Sequence, residues 1–266
     1  MCAKFNKVVY NLIPPGPVRD TLKGAYFSLY YNLKHFKEND FRVYYKKGCY
    51  TYAFEEGVSF KCYENITDDL KRSLRGYLAQ YTPKTGDVIM DCGAYVGDFT
   101  LYAAKAVGKT GKVVAYEPDP TAFKRLCENI NLNALNNVIL VNKGVWSDDT
   151  ALEFSGGDKG ANFFNQNTHN KTFHKVSVVS IDSEAQRLGL NKIDFIKMDV
   201  EGAEIEAVKG AAKTLKENNV RLALASYHEV NGEKTCHELE KLLSAIGYRS
   251  ETSHKRHLTT YAQKAF

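Results

Sequence analysis

Apolar residues follow two different patterns along this chain, and the change comes at a polar stretch near Thr82. Before it, apolar side chains at three- and four-residue steps predict one helix over Asp20–Phe36 and a second over Asp68–Gln80. The apolar side of the first helix is formed by Leu22, Tyr26, Leu29, Tyr30 and Leu33. Between the helices, segments rich in tyrosine and phenylalanine and broken by glycine predict short strands. We therefore predict an aromatic-rich α+β extension over residues 1–82, as a candidate lid or substrate-recognition region.

Beyond residue 82 the chain alternates short, continuously apolar runs with helical patterns. The runs are VIM, KVVAY, VILV, DFIKM and LALA, and the polar segment from Tyr248 onward predicts antiparallel strands. Strands that are apolar on both faces are typical of a parallel sheet covered by helices on both sides. We predict a doubly wound, mostly parallel, Rossmann-like α/β sheet over residues 83–266.

Composition limits the classes of protein that this chain can represent. Its 266 residues allow one large domain with an appendage, and 44% hydrophobic with 25% charged residues exclude a disordered or coiled-coil architecture. Lysine and arginine exceed aspartate and glutamate by 36 − 31 = 5, which suits an anionic substrate without requiring one. No apolar run approaches the ~20 residues that cross a bilayer, and residues 1–16 lack the apolar stretch of a signal peptide. The six cysteines are scattered, so we expect reduced thiols in a cytoplasmic protein, without a disulfide framework or zinc site.

A glycine loop follows the first apolar strand of the predicted sheet. Asp91, Gly93 and Gly97 lie between this strand and the next helix, where an open α/β sheet holds a nucleotide against bare backbone. Glu117 ends the following strand, and a carboxylate there accepts hydrogen bonds from ribose hydroxyls. The spacing favours an adenosine-containing ligand. The alternative is a tight turn and an unrelated surface charge.

The loop lacks two of the glycines of a dinucleotide-binding motif and carries more negative charge. Tyr95 and Asp98 stand where the second and third glycines of GxGxxG would lie, and Asp91 adds negative charge beside them. Phosphates would be repelled, whereas S-adenosylmethionine carries an ammonium that Asp91 attracts and a sulfonium that tolerates acidic surroundings. We therefore predict S-adenosylmethionine as the cofactor, with a nicotinamide oxidoreductase as the rival hypothesis.

The third strand is predicted to bring Gly144, Val145 and Trp146 to the same edge of the sheet, near the adenine. Trp146 would stack on the base or pack in the core, and the sequence leaves both open. The predicted cofactor-binding residues are Asp91, Gly93, Ala94, Tyr95, Gly97, Glu117, Pro118, Gly144, Val145, Trp146 and Asp199.

A second group of polar residues follows the fourth and fifth strands. Asp199 ends the fourth strand and His228 follows the fifth, so both are expected at the carboxyl edge of the sheet, where substrate meets cofactor. Histidine is suited to be a general base because its pKa lies near working pH. Glu201 and Glu204 have a structural alternative, since acids at the start of a helix offset its dipole. The predicted catalytic residues are His228, Asp199 and Glu201. A metal held by these three suits their ligand types, but a sequence cannot show whether they converge, and we assign none.

Four segments of the chain resemble one family of methyltransferases. They are VIMDCGAYVGDFTLYAA, AYEPDPTAFKRLCENINLN, VNKGVWSDD and IDFIKMDVEGAEIEAVKG, and they lie between Thr85 and Tyr248. The chain is similar to the FkbM-type S-adenosylmethionine-dependent methyltransferases. This resemblance implies a seven-stranded class I methyltransferase sheet, and methyl transfer to a hydroxyl of a sugar or other natural product.

The resemblance also implies roles for individual residues. Asp91, Gly93 and Gly97 would bind the methionine end of the cofactor, and Glu117 the ribose. Asp199 and Glu201 would lie near the methyl group or the acceptor. The segment before Tyr81 lies outside the resemblance, so acceptor identity does not follow from it.

We expect methylation of a hydroxyl on a sugar, lipid or other small natural product, with His228 removing the proton and Asp199 orienting it. Two alternatives remain at this stage. RNA methylation is compatible with the positive charge, but the surplus is small and no basic cluster stands out. A non-catalytic module would bind the cofactor without transferring its methyl group.

Overall fold

The computed structural model describes residue 14 and residues 16–35, 40–155, 173–230, 232–253 and 257–265. Cys2, and Phe36 at the predicted end of the first helix, lie outside the described residues. The chain forms two compact units, residues 1–71 and 72–266. The sequence places its boundary later, after residue 82, and the predicted assignment of residues 1–82 and 83–266 to separate domains stays a prediction.

The first unit combines a helical segment with a small antiparallel sheet. The helical segment consists of α1 (Pro17–Ala25), a π-helical stretch (Tyr26–Tyr31) and α2 (Asn32–Lys34). The sheet has the order β1 (Phe41–Lys46), β2 (Cys49–Phe54) and β3 (Ser59–Cys62). This agrees with the predicted α+β character of the extension.

The buried face of the helical segment differs from the predicted one. Phe27 and Tyr31 are buried, whereas Leu29 and Leu33, predicted on the buried side, are 63% and 76% exposed. The difference begins in α1, before the π-helical stretch, because Arg19 and Lys23 are buried there and the predicted Leu22 is 41% exposed. The aromatic ring of Phe27 packs edge-on against Tyr50, with a centroid separation of 5.4 Å.

The second unit contains the remaining strands and helices. Its strands are β4 (Val88–Cys92), β5 (Lys112–Tyr116), β6 (Val138–Val141), β7 (Gly144–Val145), β8 (Thr150–Ser155), β9 (Phe173–Val179), β10 (Phe195–Met198), β11 (Arg221–Ala225), β12 (Glu229–Val230), β13 (Glu233–Lys234), β14 (Tyr248–Ser253) and β15 (Thr259–Lys264). Its helices are α3 (Thr67–Tyr77), which begins in the first unit, α4 (Asp98–Val107), α5 (Pro120–Leu132), α6 (Ile181–Arg187), α7 (Glu204–Lys209), α8 (Ala212–Glu217) and α9 (Cys236–Ala245).

A seven-stranded sheet forms the centre of this unit, in the order β14-β15-β11-β10-β4-β5-β6. Strands β11, β10, β4, β5 and β6 run parallel, and β15 pairs antiparallel with β11 and with β14. Ile89 and Phe195 belong to one apolar cluster of the core, whereas Met90 and Ile196, the next residue of each strand, belong to another. The sheet is therefore packed on both faces, and the predicted doubly wound, mostly parallel sheet is confirmed.

The predicted third strand is interrupted. Its first part, β6, lies in the main sheet, but Gly144 and Val145 pair with β9 in a separate three-stranded sheet of order β7-β9-β8. The break comes at Asn142, whose side-chain amide donates to the carbonyl oxygen of Glu117 at 2.8 Å. The apolar run VILV and the residues after it therefore form strands in two different sheets. The sequence pattern predicted a single strand there.

Two further expectations concern cysteines and membranes. Five cysteines lie among the described residues and all of them are free. Within the described part of the chain, no helix combines the length and the apolar character needed to cross a bilayer.

Candidate active site

The glycine loop connects the carboxyl end of β4 with helix α4. The backbone amides of Gly93 and Ala94 both donate to the carbonyl oxygen of Tyr116, at 3.0 and 2.9 Å, so the loop is fastened to the end of β5. Gly93 has a φ of +80°, and a Cβ there would lie 1.8 Å from the carbonyl oxygen of Asp199. Gly97, with a φ of +96°, precedes helix α4. Only glycine fits at position 93, because the loop lies directly against the end of β10.

Glu117 lies at the end of β5 and is 7% exposed. Its Oε2 accepts a hydrogen bond from the Tyr95 amide at 2.7 Å, and its Oε1 accepts one from the Asp119 amide at 2.9 Å. Burial raises the pKa of the carboxyl to about 7, although these two hydrogen bonds oppose the rise. The partly buried Pro118 follows. The structure therefore brings Glu117 and the glycine loop together, and each carboxylate oxygen keeps a lone pair for a further donor.

Asp91 is held differently from its predicted role. The side chain is fully buried, its Oδ2 accepts a hydrogen bond from Thr100 Oγ1 at 2.5 Å, and its Oδ1 lies 2.9 Å from Lys197 Nζ. Burial would lower the pKa of Lys197, but the carboxylates of Asp91, Asp199 and Asp98 together outweigh it and raise the pKa above its usual range. Lys197 Nζ also donates to the carbonyl oxygen of Gly93 at 2.7 Å. Asp91 thus supports the loop through Lys197, and its part in binding the ammonium of the cofactor, directly or through water, stays a prediction.

The residues predicted to lie near adenine belong to the small sheet. Gly144 and Val145 are buried in β7, and Trp146 donates its backbone amide to the carbonyl oxygen of Val179 at 2.9 Å. The side chain of Trp146 packs against the cluster formed by the buried Val176 and Val178. This contact supports a structural role for Trp146, and stacking on a base stays a prediction.

Asp199 follows β10 and accepts two hydrogen bonds from tyrosines. Tyr77 OH donates to Oδ2 at 2.8 Å and Tyr227 OH donates to Oδ1 at 2.9 Å. Burial would raise the pKa of Asp199, but the charges of Lys197 and His228 and the two hydroxyl donors lower it below its usual range. The Asp199 side chain is 25% exposed, so a charged carboxylate remains accessible at the edge of the sheet.

His228 lies among three carboxylates. Its Nδ1 is 2.9 Å from Glu204 Oε1, and its Nε2 is 3.5 Å from Glu201 Oε2 and 3.7 Å from Asp199 Oδ1. The ring is 10% exposed. The three predicted catalytic residues, Asp199, Glu201 and His228, therefore converge in space.

The charge state of His228 bears on its predicted role. Burial would lower its pKa, but contacts with Glu201 and Glu204 and the charge of Asp199 raise it to about 10. The ring holds its proton at neutral pH in this state, and a protonated imidazole cannot accept another. The general-base role stays a prediction that this charge state does not favour.

Glu204 is a structural element of the site and not a surface acid of a helix terminus. It is fully buried, and its Oε1 accepts hydrogen bonds from the amides of Val200 and Gly202 at 3.0 and 3.4 Å. Glu201 and Gly202 have φ angles of +57° and +101°. Glu204 therefore holds the left-handed turn that carries Glu201, and the DVEGAE spacing in the sequence was the signal for it.

Two tyrosines that contact Asp199, and a histidine that contacts both tyrosines, were absent from the predicted site. Tyr77 OH lies 3.3 Å from His257 Nε2, and the rings of Tyr227 and His257 have centroids 4.8 Å apart. Tyr77 ends helix α3 and His257 precedes β15, so the sequence places both far from the motifs. Tyr227 was signalled only by its position next to His228.

These features define the class of protein. A sheet of five parallel strands with an antiparallel pair at one side, and a glycine loop followed by an acid at the next strand end, is the class I methyltransferase fold. The residues present fit S-adenosylmethionine: Glu117, whose Oε2 accepts the amide of Tyr95 in the glycine loop, offers two acceptor oxygens where a ribose would lie.

The family follows from comparison with known sequences. The family model described as "Methyltransferase FkbM domain" matches residues 91–250. This is more than half of the 266 residues, so the chain belongs to the FkbM methyltransferase family. The predicted family is confirmed, and with it S-adenosylmethionine as the cofactor of the family.

Several curated proteins are similar over part of their length. Methyltransferase sdnD from Sordaria araneosa is 29% identical over 154 residues, covering 46% of this chain and 59% of that protein. Hexuronic acid methyltransferase AglP from Haloferax volcanii is 27% identical over 168 residues, covering 62% and 64%. A tRNA(Phe) (4-demethylwyosine(37)-C(7)) aminocarboxypropyltransferase from Methanocaldococcus jannaschii is 30% identical over 129 residues, covering 41% and 51%. The chain spans less than two thirds of each of these relatives.

The crystal structure of a methyltransferase FkbM from Methylobacillus flagellatus supports the fold. It matches with a TM-score of 0.54 at 20% identity, covering 71% of this chain and 47% of that one. At this identity the likeness concerns the arrangement of the sheet and helices alone.

Proposed function

We propose that this protein transfers a methyl group from S-adenosylmethionine to a hydroxyl of a small molecule, such as a sugar, a lipid or another natural product. One observation carries the proposal: Gly93 of the cofactor loop packs against the backbone of Asp199, where a Cβ would approach the carbonyl oxygen to 1.8 Å. The predicted cofactor site and the carboxylate cluster are therefore adjacent, as methyl transfer between two bound molecules requires.

In this proposal each half of the site has its own task. Glu117 accepts hydrogen bonds from the ribose, and the loop from Gly93 to Gly97 lies beside the methionine end of the cofactor. When bound, S-adenosylmethionine supplies the methyl group on a positively charged sulfur. Asp199, Glu201 and His228 receive the acceptor, because carboxylates accept hydrogen bonds from hydroxyls and stabilise the proton that must leave the oxygen.

A small hydroxylated acceptor is favoured over RNA. One relative is named as a hexuronic acid methyltransferase, and carboxylates that face the acceptor suit hydroxyls better than phosphates. RNA is the second candidate, because another relative is named as acting on tRNA. The net charge of +5 is too small to favour either.

Two finer proposals concern the rest of the molecule. We place the protein in the cytoplasm, because its five described cysteines are free and free thiols persist in a reducing compartment. The extension over residues 1–82 is our candidate for acceptor recognition, because no family motif covers it.

The experiment that tests the function uses S-adenosylmethionine labelled on its methyl group. The protein is incubated with a small-molecule extract and, separately, with total RNA, and label is followed by mass spectrometry. We expect label in hydroxylated small molecules, and loss of that label with Asp199→Asn, which keeps the shape of the side chain. Label in RNA alone would favour the second candidate. Cofactor binding without any labelled product would indicate a non-catalytic module.

A further inference from the structure

Side chains with metal-ligand chemistry converge where β10 and β11 end. Asp199, Glu204 and His228 each offer a ligand atom, and these atoms lie within 4.8 Å of one another. Ligand atoms about 2.1 Å from a shared ion lie at most about 4.2 Å apart. Small side-chain rotations would therefore close the group around an ion.

The same group contains buried polar atoms without hydrogen bonds. Glu204 is fully buried and its Oε2 has no hydrogen-bond partner among the described residues. Both ring nitrogens of His228, whose side chain is nine-tenths buried, also lack a hydrogen bond there. The 2.9 Å approach of Nδ1 to Glu204 is a close contact without hydrogen-bond geometry. Buried polar atoms almost always have a partner, so this group is incomplete without a ligand.

The two oxygens of Glu204 have different surroundings. Oε1 accepts the amides of Val200 and Gly202, which fixes the carboxylate against the turn. Oε2 has no hydrogen-bond partner among the described residues. The carboxylate cannot rotate without breaking the two hydrogen bonds that Oε1 accepts. A fixed carboxylate with one free oxygen is suited to bind a cation.

The charges of the group also favour a cation. Three carboxylates surround His228, and within the described residues the ion pairs of Glu201 and Glu204 are those with His228. The nearby Lys197 pairs with the separate Asp91 carboxylate. Acidic charge therefore exceeds basic charge at this edge.

We propose that Asp199, Glu204 and His228 bind one divalent metal cation, with Glu201 beside it. Two carboxylate oxygens and one imidazole nitrogen suit Mn²⁺ or Zn²⁺ better than Ca²⁺, which prefers oxygen ligands throughout. The catalytic consequence rests on the proposed function: the cation would bind the acceptor oxygen and make its proton easier to remove. His228 would then be a ligand and not the base.

The test measures Mn²⁺ binding without cofactor or acceptor. Purified protein is freed of metal with a chelator and titrated with Mn²⁺, and the electron paramagnetic resonance signal of free Mn²⁺ gives the bound fraction. We expect one Mn²⁺ per chain, and binding at least about tenfold weaker in Glu204→Gln and in Asp199→Asn. Glu204→Gln keeps an oxygen for the amides of Val200 and Gly202, and circular dichroism checks its fold.

Glu206→Gln is the matched control, because Glu206 lies on the same helix and pairs with Lys209 at 2.6 Å. It should bind Mn²⁺ like the unaltered protein. Absence of Mn²⁺ binding, or equal binding in all variants, would overturn the proposal and leave a network of ion pairs around His228. The result is independent of methyl transfer, so failure of the proposed function would not be mistaken for failure of this site.

Discussion

The buried carboxyl of Glu117 makes cofactor affinity dependent on pH. Burial raises its pKa from the ordinary 4.5 to about 7, against the effect of hydrogen bonds from the amides of Asp119 and Tyr95. The ionised form is the better acceptor for two ribose hydroxyls and attracts a cationic ligand. We therefore expect S-adenosylmethionine to bind more tightly as pH rises from about 6 to about 7.5.

The size of the effect follows from the fraction of Glu117 that is ionised. If only the ionised form binds, the apparent Kd is multiplied by about 11 at pH 6 and by about 1.3 at pH 7.5, for a pKa of about 7. Affinity should thus increase about eightfold, equivalent to about 1.2 kcal/mol. Glu117→Gln cannot ionise and should bind weakly, with an affinity that lacks this increase.

Stability of the ligand-free protein should change in the opposite direction. The folded pKa lies above the unfolded one, so the folded state binds more protons between these values. The contribution of Glu117 to the free energy of unfolding is fully present below about pH 4.5 and is lost as pH rises through about 7, by up to about 3 kcal/mol. Glu117→Gln should lack this loss.

Two measurements on both proteins check the reasoning. Calorimetric titration with S-adenosylmethionine across the pH range gives the affinity, and urea unfolding at the same pH values gives the stability. The cofactor's own amino group titrates in both proteins, so its effect cancels in the comparison. The reasoning would be refuted if affinity in the unaltered protein were constant or fell with pH, or if Glu117→Gln showed the same pH dependence.

Three further substitutions test the loop and the cluster. Gly93→Ala should abolish S-adenosylmethionine binding in calorimetry, because its Cβ would meet the backbone of Asp199. Gly189→Ala is the control: Gly189 also has a positive φ, of +61°, but lies in open space, so binding should persist. Lys197→Met should lower the free energy of unfolding by about 3–5 kcal/mol in urea titrations, because it leaves the buried Asp91 without its partner. His228→Ala should reduce methyl transfer by about 100-fold or more while cofactor affinity stays within about twofold, whether the ring acts as a base or as a ligand.

The continuously apolar runs in the sequence predicted the main sheet correctly, because its central strands are buried on both faces. A run such as DFIKM can satisfy that environment only between two neighbouring strands, and β10 lies between β4 and β11. The same reasoning was wrong for the first helical segment, where Leu29 and Leu33 are exposed. Apolar spacing there matched one face of an α-helix, but α1 already buries a neighbouring face that contains the long polar side chains Arg19 and Lys23, which apolar spacing cannot indicate.

Continuity of an apolar run does not show where a strand leaves its sheet. Val141 and Val145 are both buried, but they belong to different sheets because Asn142 binds the backbone of Glu117 between them. Two polar residues, Asn142 and Lys143, were the available signal in this run. Whether such a residue ends a strand depends on its hydrogen-bond partner elsewhere in the chain, here the backbone of Glu117, and periodicity does not identify that partner.

The electrostatics of the candidate site also depend on contacts between strands, which the sequence pattern does not show. This affects the reasoning about the cofactor. The parallel register of β10 and β4 places Lys197 opposite Asp91, so the two buried charges neutralise each other. Asp91 therefore presents no net charge to a ligand, although the sequence argument against phosphates relied on it. The features that still disfavour a dinucleotide are the buried carboxyl of Glu117 and the absence of glycine at Tyr95 and Asp98. We therefore expect discrimination against a dinucleotide to come from the shape of the loop more than from its charge. An Asp91→Asn protein, in which Lys197 keeps its positive charge beside the loop, should still refuse NAD, and NAD binding by this variant would contradict the explanation.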